Sequence, residues 1–99
     1  MLTMPDLPAH GIDFAKVEML RRHMLLSVSD MAKVFGVSRV TYYSWVRGGK
    51  IRITNVPKVK RTLKKLLAIL QSGWPSDKVL EMTQAERVDH ILELLGQEQ

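Results

Sequence analysis

Two short helical segments separated by one glycine turn constrain the fold of this chain more than any other feature of its sequence. Ser27 can cap the first segment through its hydroxyl, and Gly36 ends it because glycine adopts a left-handed backbone without strain. Ser38 caps the second segment two residues later, and Gly48 and Gly49 end it. Helices joined by so short a turn cross steeply and need a small residue where their backbones approach, which Ala32 supplies. The residues spaced to fill the wedge between the two helices are Met31, Phe35, Val37, Tyr42 and Trp45.

Apolar residues at helical spacing predict further helices on both sides of this pair, giving an all-α bundle of five helices. Asp13 caps the first helix, over residues 14–24, and either Thr54 or Asn55 caps the fourth. The fifth helix is predicted over residues 84–95, with Gly96 as its stop. Basic residues alternate with isoleucine over residues 50–54, which is typical of a short extended connector or a β-arm.

The charges of the chain are distributed unevenly. The net charge is +5, but no Asp or Glu occurs from residue 31 to residue 76, a segment that carries ten basic residues. A surface of one sign indicates a polyanionic partner such as nucleic acid or a membrane surface. Chance clustering on a solvated face is the alternative interpretation, and it applies also to the lysines of the fourth helix.

Several classes of protein are excluded by what the sequence lacks. The chain has no cysteine, which excludes disulfides and cysteine-ligated zinc, and His10, His23 and His90 are isolated, so no metal site is expected. Neither a Gly-rich phosphate loop nor a nucleophile with a plausible base is present, so we expect no enzyme, no cofactor and no small-molecule ligand. The sequence contains no signal-peptide pattern and no apolar run that could span a membrane, and the expected location is the cytoplasm.

The segment over residues 27–49, SVSDMAKVFGVSRVTYYSWVRGG, resembles the helix-turn-helix of the Cro and phage-repressor superfamily, often called the XRE type. Members share an L-A-x-x-L-G-V-S pattern, which reads MAKVFGVS over residues 31–38, followed by a Trp and a Gly, here Trp45 and Gly48. The resemblance covers about a quarter of the chain and implies a lambda-repressor-like fold that binds DNA. Similar elements occur in transposase and resolvase domains, in antitoxins, and occasionally in modules that bind only protein.

The resemblance also implies which residues read DNA. The recognition helix, over residues 39–47, would lie in the major groove, where Arg39 is the best candidate for a bidentate contact with guanine and Val40 for contact with a thymine methyl. Two positions depart from the family. Val28 replaces a Gln that bonds a phosphate, and Tyr42 replaces a buried Ile or Val, so its hydroxyl needs a partner. The residues expected to contact DNA are Ser38, Arg39, Val40, Tyr43, Ser44, Arg47, Lys50, Arg52, Lys64 and Lys65.

These expectations describe a small transcriptional regulator. Residues 1–12 would form a flexible N-terminal arm, residues 13–75 the DNA-binding domain, and residues 76–99 a C-terminal amphipathic helix. The expected function is that of a repressor that occludes a promoter in a bacterium or a phage-infected cell. The alternatives are a protein-interaction module, such as an antitoxin or an inhibitor of a host enzyme, and the DNA-binding subunit of a transposase or small terminase.

Specific DNA recognition by a single short helix usually requires two copies on adjacent half-sites, so a homodimer on a palindromic operator is expected. The C-terminal helix carries an apolar stripe that would form the dimer interface, with Trp74 beside it, or would pack on its own domain. The stripe consists of Val88, Ile91, Leu92 and Leu95.

Overall fold

The helices of the chain follow one another with short connections. The computed structural model describes residues 11–97, and this part is all-helical and contains no strand. Residues 1–10 of the predicted N-terminal arm lie outside the described part of the chain. The helices are α1 (Phe14–His23), α2 (Val28–Phe35), α3 (Arg39–Val46), α4 (Val56–Gln71), α5 (Asp77–Leu80) and α6 (Gln84–Gln97), with a 3-10 turn at Ile53–Asn55 before α4.

Local capping explains where most of these helices begin. Asp13 accepts a hydrogen bond from the backbone N–H of Ala15 at 3.0 Å and begins α1. Ser27 and Asp30 cap α2 reciprocally, each side chain accepting from the other residue's backbone N–H. Gly36, with φ of 74°, ends α2 in the left-handed region, as the sequence predicts. Thr83 and Glu86 form a second capping box, at the start of the last helix, each side chain accepting from the other residue's backbone N–H.

Two local expectations are wrong. A four-residue helix, α5, raises the number of helices in the described part from five to six, because Ser76 accepts from the N–H of Val79 and caps one more turn. Gly96 does not stop the last helix, which continues to Gln97. Of the two alternatives for residues 50–54, the β-arm is not formed: residues 50–52 are an irregular connector with Arg52 extended, and a 3-10 turn follows. Asn55 stands at the N-cap of α4, as one of the two expected residues, but without a side-chain hydrogen bond.

The wedge between α2 and α3 is the centre of the core. Met31, Phe35, Tyr42 and Trp45 are buried there, as predicted, and Val37 is partly buried. The aromatic rings contact one another, with ring centres 6.1 Å apart for Phe35 and Tyr42 and 6.3 Å apart for Phe35 and Trp45. Because α3 is held through these side chains, its opposite face is fixed relative to the rest of the protein.

A charged network fastens α1 to α3. Arg21 donates two hydrogen bonds of 2.9 Å to the carboxylate of Glu18, and the hydroxyl of Tyr42 donates a third, at 2.6 Å. The Arg21 guanidinium, assisted by the Tyr42 hydroxyl, holds the pKa of Glu18 below its ordinary value against the opposing effect of burial. Tyr42 therefore has the partner that its burial requires. The sequence analysis missed Glu18, because the only local signal was its spacing of three residues from Arg21.

Helix α6 belongs to the same core as the other helices. Val88 and Ile91 are only 2% and 0% exposed, in one cluster with residues of α1 to α4. Gln84 ties the start of α6 to α2, since its amide donates to Leu25 O at 2.8 Å and to Asp30 Oδ2 at 2.6 Å. Residues 76–97 are thus packed on the helical body and do not form a separate unit.

Of the two roles expected for the α6 stripe, the structure shows packing on its own domain. Val88 and Ile91 are almost fully buried, and the partly buried Leu92 and Leu95 pack against the same core. The pairing of two copies stays a prediction. Trp74 is buried as well, and its indole N–H donates to Met24 O at 2.9 Å. The stripe closes the core of its own chain. None of the helices between residues 11 and 97 combines the length and the apolar composition that a membrane crossing requires.

Candidate nucleic-acid interface

The outer surface of α3 carries the densest set of predicted contact residues. Tyr42 and Trp45 bind this helix to the core, and the two residues between them are exposed. Val40 is 78% exposed, an unusual environment for a β-branched apolar residue in a helix. We call this surface the α3 face, and it consists of Arg39, Val40, Tyr43, Ser44 and Arg47.

Tyr43 organises the cationic groups of the α3 face. Its ring lies between two guanidinium groups, with the Arg39 carbon 5.8 Å and the Arg47 carbon 5.6 Å from the ring centre. The three residues are four positions apart, so they form one row along the helix. The cation–π contacts restrict both arginines and hold two positive charges on the same side of α3. All three residues were predicted to contact DNA, but the sequence did not indicate that the ring of Tyr43 would lie against both guanidinium groups.

The connector after α3 adds two more cations to this surface. From here on, the connector means residues 50–52, the part of the predicted connector that precedes the 3-10 turn. Ile51 is buried and anchors the connector, and its neighbours Lys50 and Arg52 are exposed. Both line a shallow hollow that is bounded on the other side by α3. The predicted contact residues that the structure brings together in this hollow are Ser38, Val40, Ser44, Lys50 and Arg52.

Gly49 is a residue of this surface that sequence reasoning assigned only to the end of the helix. Its N–H donates to the carbonyl oxygen of Ser44 at 2.7 Å, and a Cβ at this position would overlap the Ser44 hydroxyl. Gly49 also lines a second hollow, which runs along Val40, Tyr43, Ser44 and Arg47. The glycine thus leaves the end of the α3 face open. The adjacent glycines at positions 48 and 49 were the available signal.

Ser38 lies at the start of α3 with its hydroxyl already engaged. The oxygen accepts from the N–H of Thr41 at 3.0 Å, and the hydroxyl donates to Thr41 Oγ1 at 2.9 Å. Ser38 therefore acts first as the cap of α3. Its contribution to any bound phosphate would come from the helix N-terminus that the cap holds in place.

Lys64 and Lys65 do not join the α3 face. Lys64 lines a groove between α1 and α4, and the Lys65 ammonium lies 3.5 Å from the carbonyl oxygen of Leu95 in α6. Lys58, by contrast, extends over the turn between α2 and α3, where its ammonium would be 3.0 Å from a Cβ at Gly36. Counting lysines along α4 could not separate these positions, because they lie on different sides of the helix.

The electrostatics of the surface are uniformly positive. No Asp or Glu of the described residues lines either hollow beside α3. The carboxylate of Asp30 lies at the start of α2, outside both hollows, and although burial opposes ionisation, hydrogen bonds from Ser27 and Gln84 lower its pKa below the ordinary value. Over residues 11–97, no three His, Asp or Glu side chains gather in a way that could hold a metal ion.

Comparison with known proteins adds no relative to this picture. No protein-family model matches the chain, and no similar protein was found among curated sequences or solved structures.

Proposed function

We propose that this chain binds double-stranded DNA sequence-specifically, with α2 and α3 acting as a helix-turn-helix and the α3 face lying in the major groove. The observation that carries the proposal is the cationic, acid-free surface of α3 and the connector, on a helix whose other side is fixed in the core. The major groove admits an α-helix and displays a distinct pattern of hydrogen-bonding groups for each base pair. A helix whose inner face is packed on the core can hold its outer side chains in register with that pattern.

Each side chain of this surface has a chemically suited role. Arg39 would donate two hydrogen bonds to O6 and N7 of guanine, with its direction set by the ring of Tyr43. Exposed Val40 would contact a thymine methyl, which explains an apolar side chain among cations. Arg47, Lys50 and Arg52 would contact phosphates, which position the protein on the duplex without reading its sequence.

The biological role that fits these contacts is that of a repressor that occludes a promoter. We expect two copies on a palindromic site, because one α3 face reaches only a few base pairs. Contacts between the copies would not involve Val88 or Ile91, since both are buried. The operator and the regulated gene are to be found experimentally.

Selection of bound fragments from random DNA tests the proposal, followed by binding measurements on the Arg39→Ala variant. We expect an enriched palindromic sequence, and a loss of about 1 to 3 kcal/mol for Arg39→Ala, with relaxed preference at one base pair in each half-site. The matched control is Arg22→Ala, which removes an exposed arginine of α1 that lines neither hollow. It should bind like the wild type.

Two results would count against these assignments. An equal loss on selected and random DNA would make Arg39 a phosphate contact and remove its role in reading bases. If no sequence is enriched and duplex DNA does not bind at low salt, the chain is not a DNA-binding protein.

A further inference from the structure

A groove between α1 and α4 lies outside the surface assigned to DNA. It has a volume of about 500 Å³. Its lining is mainly apolar and includes Val17 and Leu20 from α1 and Leu63 and Leu67 from α4. It shares no lining residue with the hollows beside α3. A ligand in the groove and DNA on the α3 face would therefore use different side chains.

Leu67 leaves apolar surface exposed to solvent in this groove. Its neighbour Leu66 is fully buried in the core, but Leu67 is 46% exposed beside the partly buried Leu63. Covering this apolar surface would be favourable by roughly 25 cal/mol for each Å² removed from water.

The rim of the groove is positively charged. Lys16, Lys60 and Lys64 line it, and none of them makes an ion pair with another described residue. Asp13 is the one acidic residue among the lining residues, and it is committed to the first turn of α1 through its bond to Ala15 N–H. The groove thus offers an apolar floor and three cations to whatever covers it.

We propose that this groove binds an amphipathic helix of a partner protein, with leucine-like side chains on one face and Asp or Glu on both sides of that face. Such a helix would place its apolar side chains on Leu63 and Leu67 and its carboxylates on the lysine rim. Acidic flanks complement the rim and give the interaction its charge specificity. The inference stands independently of the DNA-binding proposal.

Two other occupants fit the groove less well. DNA phosphates would pair with the lysines but would leave the leucine floor uncovered. A second copy of the chain has acidic residues on α6, including Asp89 and Glu93, but the apolar side chains Val88 and Ile91 of that helix are buried in its own core. Helix α6 of a second copy would therefore supply carboxylates for the lysines but no exposed apolar side chains to cover Leu63 and Leu67.

A designed peptide supplies the probe for the test. It is a helical peptide of about 16 residues with leucine at i, i+3, i+4 and i+7 and glutamate at most other positions. Titration calorimetry with the full chain, and amide NMR shifts, should show one binding site per chain centred on α1 and α4. A peptide with lysine in place of glutamate, and one with serine in place of leucine, should each bind at least tenfold more weakly.

Matched variants of the chain locate the site. Leu67→Asp should weaken binding of the acidic peptide at least tenfold, whereas Leu80→Asp should not, although Leu80 is 52% exposed and lies outside the groove. Replacing Lys60 and Lys64 by Glu should reverse the preference in favour of the lysine peptide. Circular dichroism and binding to the selected DNA should be unchanged in Leu67→Asp, which separates this proposal from the previous one.

Specific results would overturn the inference. Equal binding of the serine peptide would reduce the interaction to charge alone, and an equal loss in Leu80→Asp would remove it from the groove. Competition between duplex DNA and the peptide, with matching shifts in α1 and α4, would make the groove a DNA contact. Concentration-dependent dimerisation that Leu67→Asp abolishes would assign it to a second copy.

Discussion

The hydroxyl of Tyr42 lies inside the protein and has a charged partner there. Burial, together with the adjacent carboxylate of Glu18, raises the pKa of Tyr42, so the hydroxyl remains a donor at all ordinary pH values. The ring fills the wedge between α2 and α3 as an aliphatic side chain would, and the hydroxyl reaches α1. One residue thus joins the packing of three helices to a hydrogen-bonded network.

Tyr42→Phe should destabilise the protein by about 1.5 to 3 kcal/mol, the range for a hydrogen bond to a charged group. The ring would stay in place, and only the bond to Glu18 would be lost. Tyr43→Phe is the matched control, since it removes a hydroxyl from an exposed tyrosine of the next position. Urea unfolding should show a lower midpoint for Tyr42→Phe alone. Equal midpoints for the two variants would mean that the bond to Glu18 contributes nothing.

The turn between α2 and α3 decides how the α3 face is presented. Gly36 has a φ of 74°, its N–H donates to Lys33 O, and the N–H of Val37 donates to Ala32 O. These bonds satisfy the last carbonyls of α2 while the chain reverses towards Ser38. The path of the chain from α2 into α3 depends on this backbone conformation.

Gly36→Ala should cost about 1 to 2 kcal/mol, because a side chain disfavours the left-handed region. The nearby Lys58 ammonium can move away, so the backbone conformation and not the contact sets the loss. Gly96→Ala is the control, because it is expected to change the stability in the opposite direction. Gly96 lies within α6, and no atom lies within 4 Å of an added Cβ. That variant should be as stable as the wild type or more stable. Thermal unfolding measures both, and a loss in Gly96→Ala as large as that in Gly36→Ala would contradict the argument.

Expectations about individual elements succeeded where the determining interactions are local. The caps at Asp13 and Ser27 and the turn at Gly36 depend on neighbours within four residues, and the sequence predicts them. Glu18 was missed for the opposite reason, because it acts on Tyr42, which is 24 residues away.

The role of the α6 stripe could not be predicted from the sequence either, because it depends on the packing of the whole molecule. An apolar stripe has the same sequence whether it covers its own core or a second copy, so periodicity cannot choose between these. The choice depends on whether α1 to α4 leave an apolar surface open. They do, and Val88 and Ile91 close it, with Gln84 fixing the start of the helix on α2.

Ile91→Asp should therefore unfold the chain and not merely separate two folded copies. Ile91 is fully buried, and placing a carboxylate there costs several kcal/mol, out of a total stability of about 5 to 15 kcal/mol for a domain. Ala85→Asp is the control, because it adds the same charge at an exposed position of the same helix. Circular dichroism and urea unfolding should show that the control stays folded while Ile91→Asp loses its cooperative transition. Light scattering completes the test, since a folded Ile91→Asp monomer beside a dimeric wild type would place the stripe between two copies.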